Sequence, residues 1–337
     1  MAHLFQKLFR LGTTDLWQGK EHRVIGLDIG HSSAKVVQLR REKGRAILET
    51  YGEIAIGPYG DLAIGQVSNL GVPKLAELLR DLFTEANVNA RPTAVAIPLR
   101  SSLLLIIELP DVGRAKLEKI VPIEARKYIP VPISEVELDW WVIPRVSEPK
   151  GKTDRQPIEV LLAAIHHEII SQYREVLKVL EREAAFFEIE TFSALRAVFG
   201  GDLSPTAIID LGAGTTKVAI VDYGVVRLSH TVSKGAQDIT LSIARSLGVE
   251  FAKAEEIKRR VGLVETVEGE RVTGLVSTIV EYIFSEVTKA LTIYQHKQQR
   301  AISKIVLIGG GALLKGLLAT AERSFEVPVT IGNPFAQ

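Results

Sequence analysis

Apolar positions change their spacing many times along the chain, and each change marks an element. The run Val24 to Leu27 reads as a strand ended by a tight turn; Lys35 to Leu39 resumes strand spacing, Arg40 to Arg45 forms a charged hairpin tip, and Ala46 to Ile56 reads as another strand. That is the pattern of a β-meander. Leu75, Leu78, Leu79, Leu82 and Phe83 share one helical face and predict a helix over 73–86, with a strand at Thr93 to Ile97 after it. Between about Arg91 and Ile165 the order becomes strand, helix, strand, strand, with a polar gap from Glu148 to Pro157 that predicts an exposed loop. This stretch reads as an inserted subdomain. A long helix from His167 to Arg182 and a shorter one around Ser193 to Phe199 lead to Gly200 and Gly201, after which a second β-rich stretch opens at Ala207. Helices dominate from Ala236 to about Gln299. The last unit is a strand, Lys304 to Ile308, then Gly309, Gly310 and Gly311, then a helix with Leu313, Leu314, Leu317, Leu318 and Ala321 on one face.

At the N-terminus, Leu4, Phe5, Leu8 and Phe9 form one stripe of a short amphipathic helix whose other face carries Lys7 and Arg10. Two readings are open: a terminal helix frayed or packed on its own body, and a docking helix for a membrane surface or partner protein. The interrupting charges and the lack of a small-residue cleavage site make this a poor signal peptide. The best apolar run, Leu103 to Ile107, ends at Glu108 and Pro110, far short of the roughly 20 residues a membrane span needs. A cytoplasmic location is the expectation.

Composition narrows the classes. A length of 337 residues suggests about two domains, and 46% hydrophobic with 24% charged residues argues against disorder. Lys+Arg 41 against Asp+Glu 40 gives no reason to expect nucleic acid as a partner. With Cys 0, disulfides, thiolate zinc sites, iron–sulfur clusters and cysteine nucleophiles are excluded. His166 and His167 are adjacent, so they diverge on a helix and make no zinc pair.

The informative feature is an internal repeat. Leu27-Asp28-Ile29-Gly30-His31-Ser32-Ser33-Ala34-Lys35-Val36 matches Ile209-Asp210-Leu211-Gly212-Ala213-Gly214-Thr215-Thr216-Lys217-Val218, 182 positions later throughout. Each copy has an apolar strand ending in Asp, a turn of small and hydroxyl residues, then Lys and a return to strand sequence. That return separates the turns from the dinucleotide fingerprint, in which a Gly-rich turn opens a helix. No G-x-x-x-x-G-K-[ST] motif occurs either. Small residues let backbone N–H groups converge on phosphate oxygens, hydroxyls add donors, Lys supplies charge, and Asp28 and Asp210 can each hold a hydrated Mg²⁺ through water. His31, in the first turn, reads either as a phosphate contact or as a surface histidine.

Two such turns followed by the strand-to-helix glycines resemble the actin-like ATPase superfamily, an α/β fold of two duplicated RNase-H-like lobes clamping ATP and Mg²⁺. On the resemblance, Asp28, Gly30, Ser32, Ser33 and Lys35 belong to the first phosphate loop, and Asp210, Gly212, Gly214, Thr215, Thr216 and Lys217 to the second. Gly309, Gly310 and Gly311 match the adenosine loop. Ala254-Glu255-Glu256-Ile257-Lys258 resembles the A-E-x-I-K helix by which bacterial actins contact the nucleoside; by spacing alone, Glu255 and Lys258 are also an ordinary solvated pair. Glu190 lies where chaperone-type relatives place an acidic residue near the attacking water, and it is open to a second reading as a helix-start charge.

The insertion narrows the resemblance. Ile123-Glu124-Ala125-Arg126-Lys127-Tyr128-Ile129-Pro130-Val131-Pro132-Ile133-Ser134-Glu135-Val136-Glu137-Leu138-Asp139 closely resembles the E-A-x-K-Y-I-P-x-P-x-x-E-V-x-L-D signature of the PilM family of type IV pilus assembly proteins, which is similar to FtsA. Residue by residue it reads as a helix stopped before Pro130, an extended Pro-x-Pro turn, and a strand. The resemblance implies a cytoplasmic ATP-binding scaffold, peripheral at the inner membrane, with slow or absent hydrolysis. It further implies that the scaffold grips the N-terminal tail of PilN between the insertion and the first lobe's core, and that through PilN and PilO it links the pilus base to the pilus assembly ATPases. The implied division is 1–22 as the amphipathic segment, 23–90 and 166–205 as the first-lobe core, and 91–165 as the inserted subdomain. The second lobe then comprises 206–230 and 280–337 as its core and 231–279 as its subdomain. Pro122 predicts a kink or a fresh start in the helix Arg114 to Tyr128. Such relatives continue beyond the position of Gln337 into a helix closing the first lobe. Two other classes compete: a self-associating, filament-forming, membrane-tethered FtsA-like protein, and a small-molecule kinase of the same superfamily. The kinase class wants a polar sugar site with an Asp base where this insertion offers Ile129, Pro130, Val131 and Pro132.

Overall fold

The computed structural model describes residues 23–144, 157–264 and 270–334. The N-terminal stripe and the polar gap up to residue 156 lie outside them. Two compact units result: one holds the first strand, Lys35–Glu53 and Leu75–Phe192, and the other holds Gly30–Ala34, Ile54–Lys74 and the chain from Ser193 onward.

In the first unit, β1 (Arg23–Ile29), β2 (Ser33–Glu42), β3 (Arg45–Ala55), α1 (Val72–Glu85) and β4 (Pro92–Ile97) come first. They are followed by β5 (Ser102–Leu109), α2 (Arg114–Ala125), β6 (Val136–Val142), β7 (Ile158–His166), α3 (His167–Val179) and β8 (Glu183–Ile189). Five of these strands form a sheet in the order β3-β2-β1-β4-β8. The apolar stripe of α1 is buried as its spacing requires, with Leu78 and Leu79 at 0% exposure.

The hairpin tip is shorter than the run of charges suggested. Strand pairing continues through Glu42 and resumes at Arg45, leaving Lys43 and Gly44 at φ 50 and 80 as a two-residue turn. Arg40 stays in the strand because its guanidinium reaches Glu49 on β3 at 3.0 Å and Glu42 at 2.8 Å.

The inserted subdomain starts later than residue 91. β4 is a central strand of the first sheet, parallel to both β1 (Leu27 opposite Val95) and β8 (Val95 opposite Phe187), so it belongs to the lobe core. The insertion's own sheet has the order β5-β7-β6 and runs from Ser102 to His166. α2 packs Leu117, Val121 and Ala125 with Val160, Leu162 and Ala164 of β7. It is one continuous helix with Pro122 inside it, and it ends at Ala125.

The second unit repeats the plan. α4 (Glu190–Val198), whose first turn belongs to the first unit, leads to β9 (Thr206–Leu211), β10 (Thr216–Asp222), β11 (Val225–Val232), α5 (Ala236–Leu247), α6 (Phe251–Val261) and α7 (Glu270–Gln298). β12 (Lys304–Ile308), α8 (Leu317–Phe325) and β13 (Val329–Ile331) complete it. The sheet order β11-β10-β9-β12-β13 is that of the first sheet, with β9 in the place of β1 and β12 in that of β4. The boundary expected at position 279 falls inside α7. Ile239, Ile243 and Ala254 share one core with Ile209 and Ile220, and α7 runs unbroken across position 279 because Val272, Val276, Val280, Ile283 and Val287 keep helical spacing. Leu313 also departs from expectation: Gly310–Leu313 is a 3-10 turn, the helix starts at Leu317, and Leu313 is 76% exposed.

Candidate functional site

The duplicated turns have the same backbone. Gly30 N–H donates to Ser33 O at 3.0 Å, and Gly212 N–H donates to Thr215 O at 3.0 Å. A Cβ on either glycine would lie 3.0 or 2.9 Å from that same carbonyl, so the small residue belongs to the turn itself. His31 sits against the second turn: a Cβ on Gly214 would lie 3.4 Å from its ring.

The second turn is seated on α5. Ala236 N–H donates to Gly212 O and Gln237 N–H to Ala213 O, both at 2.9 Å, so these helix N–H groups hold the turn. Asp238 accepts Gly235 N–H at 2.9 Å and Lys234 at 2.7 Å. At the other side of the turn, Lys217 faces Asp210 across the β9–β10 ladder, with Nζ 3.1 Å from Oδ2. Gly309 closes on the same carboxylate. Its φ is +82, and a Cβ there would lie 2.3 Å from Asp210 Oδ1; one on Gly311 would lie 2.8 Å from Leu211 O. The second turn and the glycine triplet are therefore one packed structure.

Two neighbouring hydroxyls divide their roles. Thr216 is fully buried, and its Oγ1 donates to Lys234 O at 2.9 Å. Thr215 Oγ1 is buried without a hydrogen-bond partner, an arrangement that costs free energy unless a ligand oxygen or metal-bound water supplies one. Of the two, Thr215 is the hydroxyl left without a partner.

In the first copy, Asp28 lies at the end of β1 opposite Ala96. Near it, the phenol of Tyr173 on α3 is pushed up to about 12, mainly by burial and then by the charge of Asp28. Lys35 differs from its repeat-mate Lys217: it is exposed on β2 and pairs with Glu53 at 3.4 Å. Ser32 and His31 offer their carbonyls to Ile56 N–H and Ser68 N–H at 2.9 and 3.1 Å. Glu190 is the first residue of α4, as its helix-start reading expects, and its Oε1 accepts Leu99 N–H at 2.6 Å.

Glu255 and Lys258 are not a solvated pair. Lys258 is 7% exposed, and its Nζ lies 2.7 Å from Glu255 Oε2, 2.9 Å from Thr240 Oγ1 and 3.2 Å from Ala236 O. Burial holds the Lys258 ammonium below its ordinary range in spite of Glu255. Burial also pushes the Glu255 carboxyl up, but Lys258, Thr240 and Arg259 together outweigh it and hold the group low. Gln237, Thr240 and Gly235 were not legible as site residues in the sequence. The one local signal was a glycine followed three residues later by Asp238, which closes the start of α5.

Two lobes with the same strand order, each carrying an Asp-turn after its first strand, define an actin-like ATPase fold. Among the described residues no helix is long and apolar enough to cross a membrane. The chain belongs to the family described as Type IV pilus assembly protein PilM, whose model matches residues 26–337. A solved PilM-PilN type IV pilus biogenesis complex is 25% identical with a TM-score of 0.76, covering 93% of this chain and 88% of that chain. MreB5 of Spiroplasma citri bound to AMPPNP shares the fold at 14% identity and a TM-score of 0.55, covering 93% and 92%. The cell division protein FtsA of Neisseria meningitidis serogroup B is 28% identical over 38% of this chain and 36% of its own. The chain thus spans well under half the length of the curated relatives it matches.

Proposed function

We propose that this chain is an ATP- and Mg²⁺-binding scaffold on the cytoplasmic side of the type IV pilus inner-membrane platform, and that it takes the N-terminal tail of PilN in a nucleotide-dependent way. The observation that carries the nucleotide reading is the second turn: a buried Thr215 hydroxyl without a partner lies in the turn that follows Asp210, whose carboxylate is approached by Gly309, where any Cβ would collide. Hydroxyl and carboxylate oxygens suit a hard, hydrated Mg²⁺. Thr215, Asp210 and Lys217 would hold the phosphate and metal end, with Asp28, Ser32 and Ser33 as the first turn's counterparts. Gly309 to Gly311, together with the Glu255–Lys258 helix, would flank the nucleoside.

The PilN reading is supported by the likeness to a PilM-PilN complex over nearly the whole chain and by the inserted subdomain that carries the family signature. An extended apolar tail suits an aliphatic groove. Attachment to the membrane is through partners, and slow or absent hydrolysis by Glu190 is sufficient, because occupancy alone can bias a binding equilibrium.

Calorimetry tests both halves. Mg²⁺–ATP is expected to bind, and its saturation to change the affinity for a synthetic peptide from the matching PilN N-terminus by about five-fold or more, the usual size of a coupling between sites. Absence of ATP binding together with an unchanged peptide titration would overturn the proposal.

A further inference from the structure

Between β3 and α1, residues 57–71 hold one 3-10 turn, Gly57–Gly60, and otherwise no regular element. The stretch is nevertheless tied down along its length. Ile56 N–H donates to Ser32 O at 2.9 Å and Ser68 N–H to His31 O at 3.1 Å, so the segment is fastened to two successive carbonyls of the first turn. Leu62 N–H donates to Gly57 O at 2.9 Å and Ala63 N–H to Gln66 Oε1 at 2.7 Å, which folds it on itself. Val67 N–H donates to Gln237 Oε1 at 2.6 Å, and the Val67 side chain lies against Gly214, where a Cβ would be 3.2 Å from Cγ2.

Gln237 is the second residue of α5, and its own N–H holds Ala213 O of the second turn at 2.9 Å. One residue therefore grips the second turn by its backbone and the strap by its side chain, while the strap grips the first turn. We infer that Gln237 is a positioning residue for the paired turns: by holding Val67 it keeps residues 57–71 across His31 and fixes the first turn against the second. The inference rests on the nucleotide reading above. It also explains the residue type. A glutamate would accept the Val67 N–H equally well but would set a negative charge beside turns that receive phosphate, and an aliphatic residue would leave that N–H without an acceptor.

Hydrogen exchange on the full chain, paired with Mg²⁺–ATP calorimetry, tests this with Gln237→Leu and Gln237→Glu. Exchange at the Val67 amide is expected to be at least about ten-fold faster in Gln237→Leu and close to wild type in Gln237→Glu. ATP affinity is expected to fall about five-fold in Gln237→Leu from the lost hydrogen bond, and at least as far in Gln237→Glu from the charge. A purely structural role would not separate the two readouts in this way. Equal Val67 exchange in all three proteins would overturn the inference, as would unchanged ATP affinity in both variants. If wild type takes up no nucleotide, the nucleotide reading and the turns' phosphate role fail together, whereas unequal Val67 exchange still identifies Gln237 as the residue that holds the strap.

Discussion

Replacing Gly309 by Ala is expected to be among the most damaging single substitutions in the second unit, at roughly 3 kcal/mol or more. Two causes act at the same atom. The backbone there has φ 82 and ψ 166, a region essentially restricted to glycine. A Cβ would also lie 2.3 Å from Asp210 Oδ1 and 2.7 Å from Leu211 O, and the second of these is main chain in a central strand that cannot turn aside. Asp210 could escape only by leaving Lys217, so relief of the clash breaks the ion pair. Urea unfolding should show a lower midpoint, and Mg²⁺–ATP binding should be lost even where the variant remains folded. Gly310→Ala is the control: nothing lies within 4 Å of its Cβ, and stability should stay within about 0.5 kcal/mol of wild type. A Gly309→Ala protein with the midpoint of Gly310→Ala and the nucleotide affinity of wild type would refute this account of the site.

That contrast shows what a sequence can carry. The repeat was legible because a turn between two strands is local chemistry: Asp, then a small residue, then hydroxyls within a few positions, twice. Which hydroxyl is available was not. Thr215 and Thr216 are neighbours of one residue type, and their roles differ because Thr216 opens β10, where its hydroxyl reaches Lys234 O, while Thr215 belongs to the turn before it and is left unpartnered. Lys35 and Lys217 match in the repeat but differ in exposure, since Lys217 is largely buried against Asp210 across the ladder while Lys35 is exposed and reaches Glu53 on an edge strand. Fold boundaries failed where pairing is non-local. β4 looked like the start of the insertion until its parallel contacts with β1 and β8 placed it in the middle of the first sheet. Gln237 reaches Val67 across 170 positions, and no periodicity encodes such a contact.

Glu255→Gln is expected to cost roughly 3 kcal/mol at neutral pH, because it leaves the Lys258 ammonium at 7% exposure with only Thr240 Oγ1, Ala236 O and a neutral amide around it. Lys258→Met should cost less: Glu255 keeps Thr240 at 2.7 Å and Arg259 at 2.8 Å, and the lost cation is replaced by an apolar chain of similar reach. Acid dependence follows from the depressed Glu255 carboxyl. Its folded value lies below the ordinary 4.5, so the stability it contributes is fully present above that pH and is lost as pH falls through the folded value. Glu255→Gln should remove this part of the acid slope. Alkaline dependence has the same sign in pH. Lys258 titrates below its ordinary 10.5 when folded, so between the two values the unfolded chain binds more protons and stability rises with pH. Without Glu255 to favour the ammonium, Lys258 should release its proton at lower pH, so the deficit of Glu255→Gln shrinks as pH is raised. Urea unfolding of wild type and both variants from pH 3.5 to 10 measures these slopes; a Glu255→Gln deficit below about 1 kcal/mol at neutral pH, or one that does not shrink toward alkaline pH, would contradict the buried-pair account.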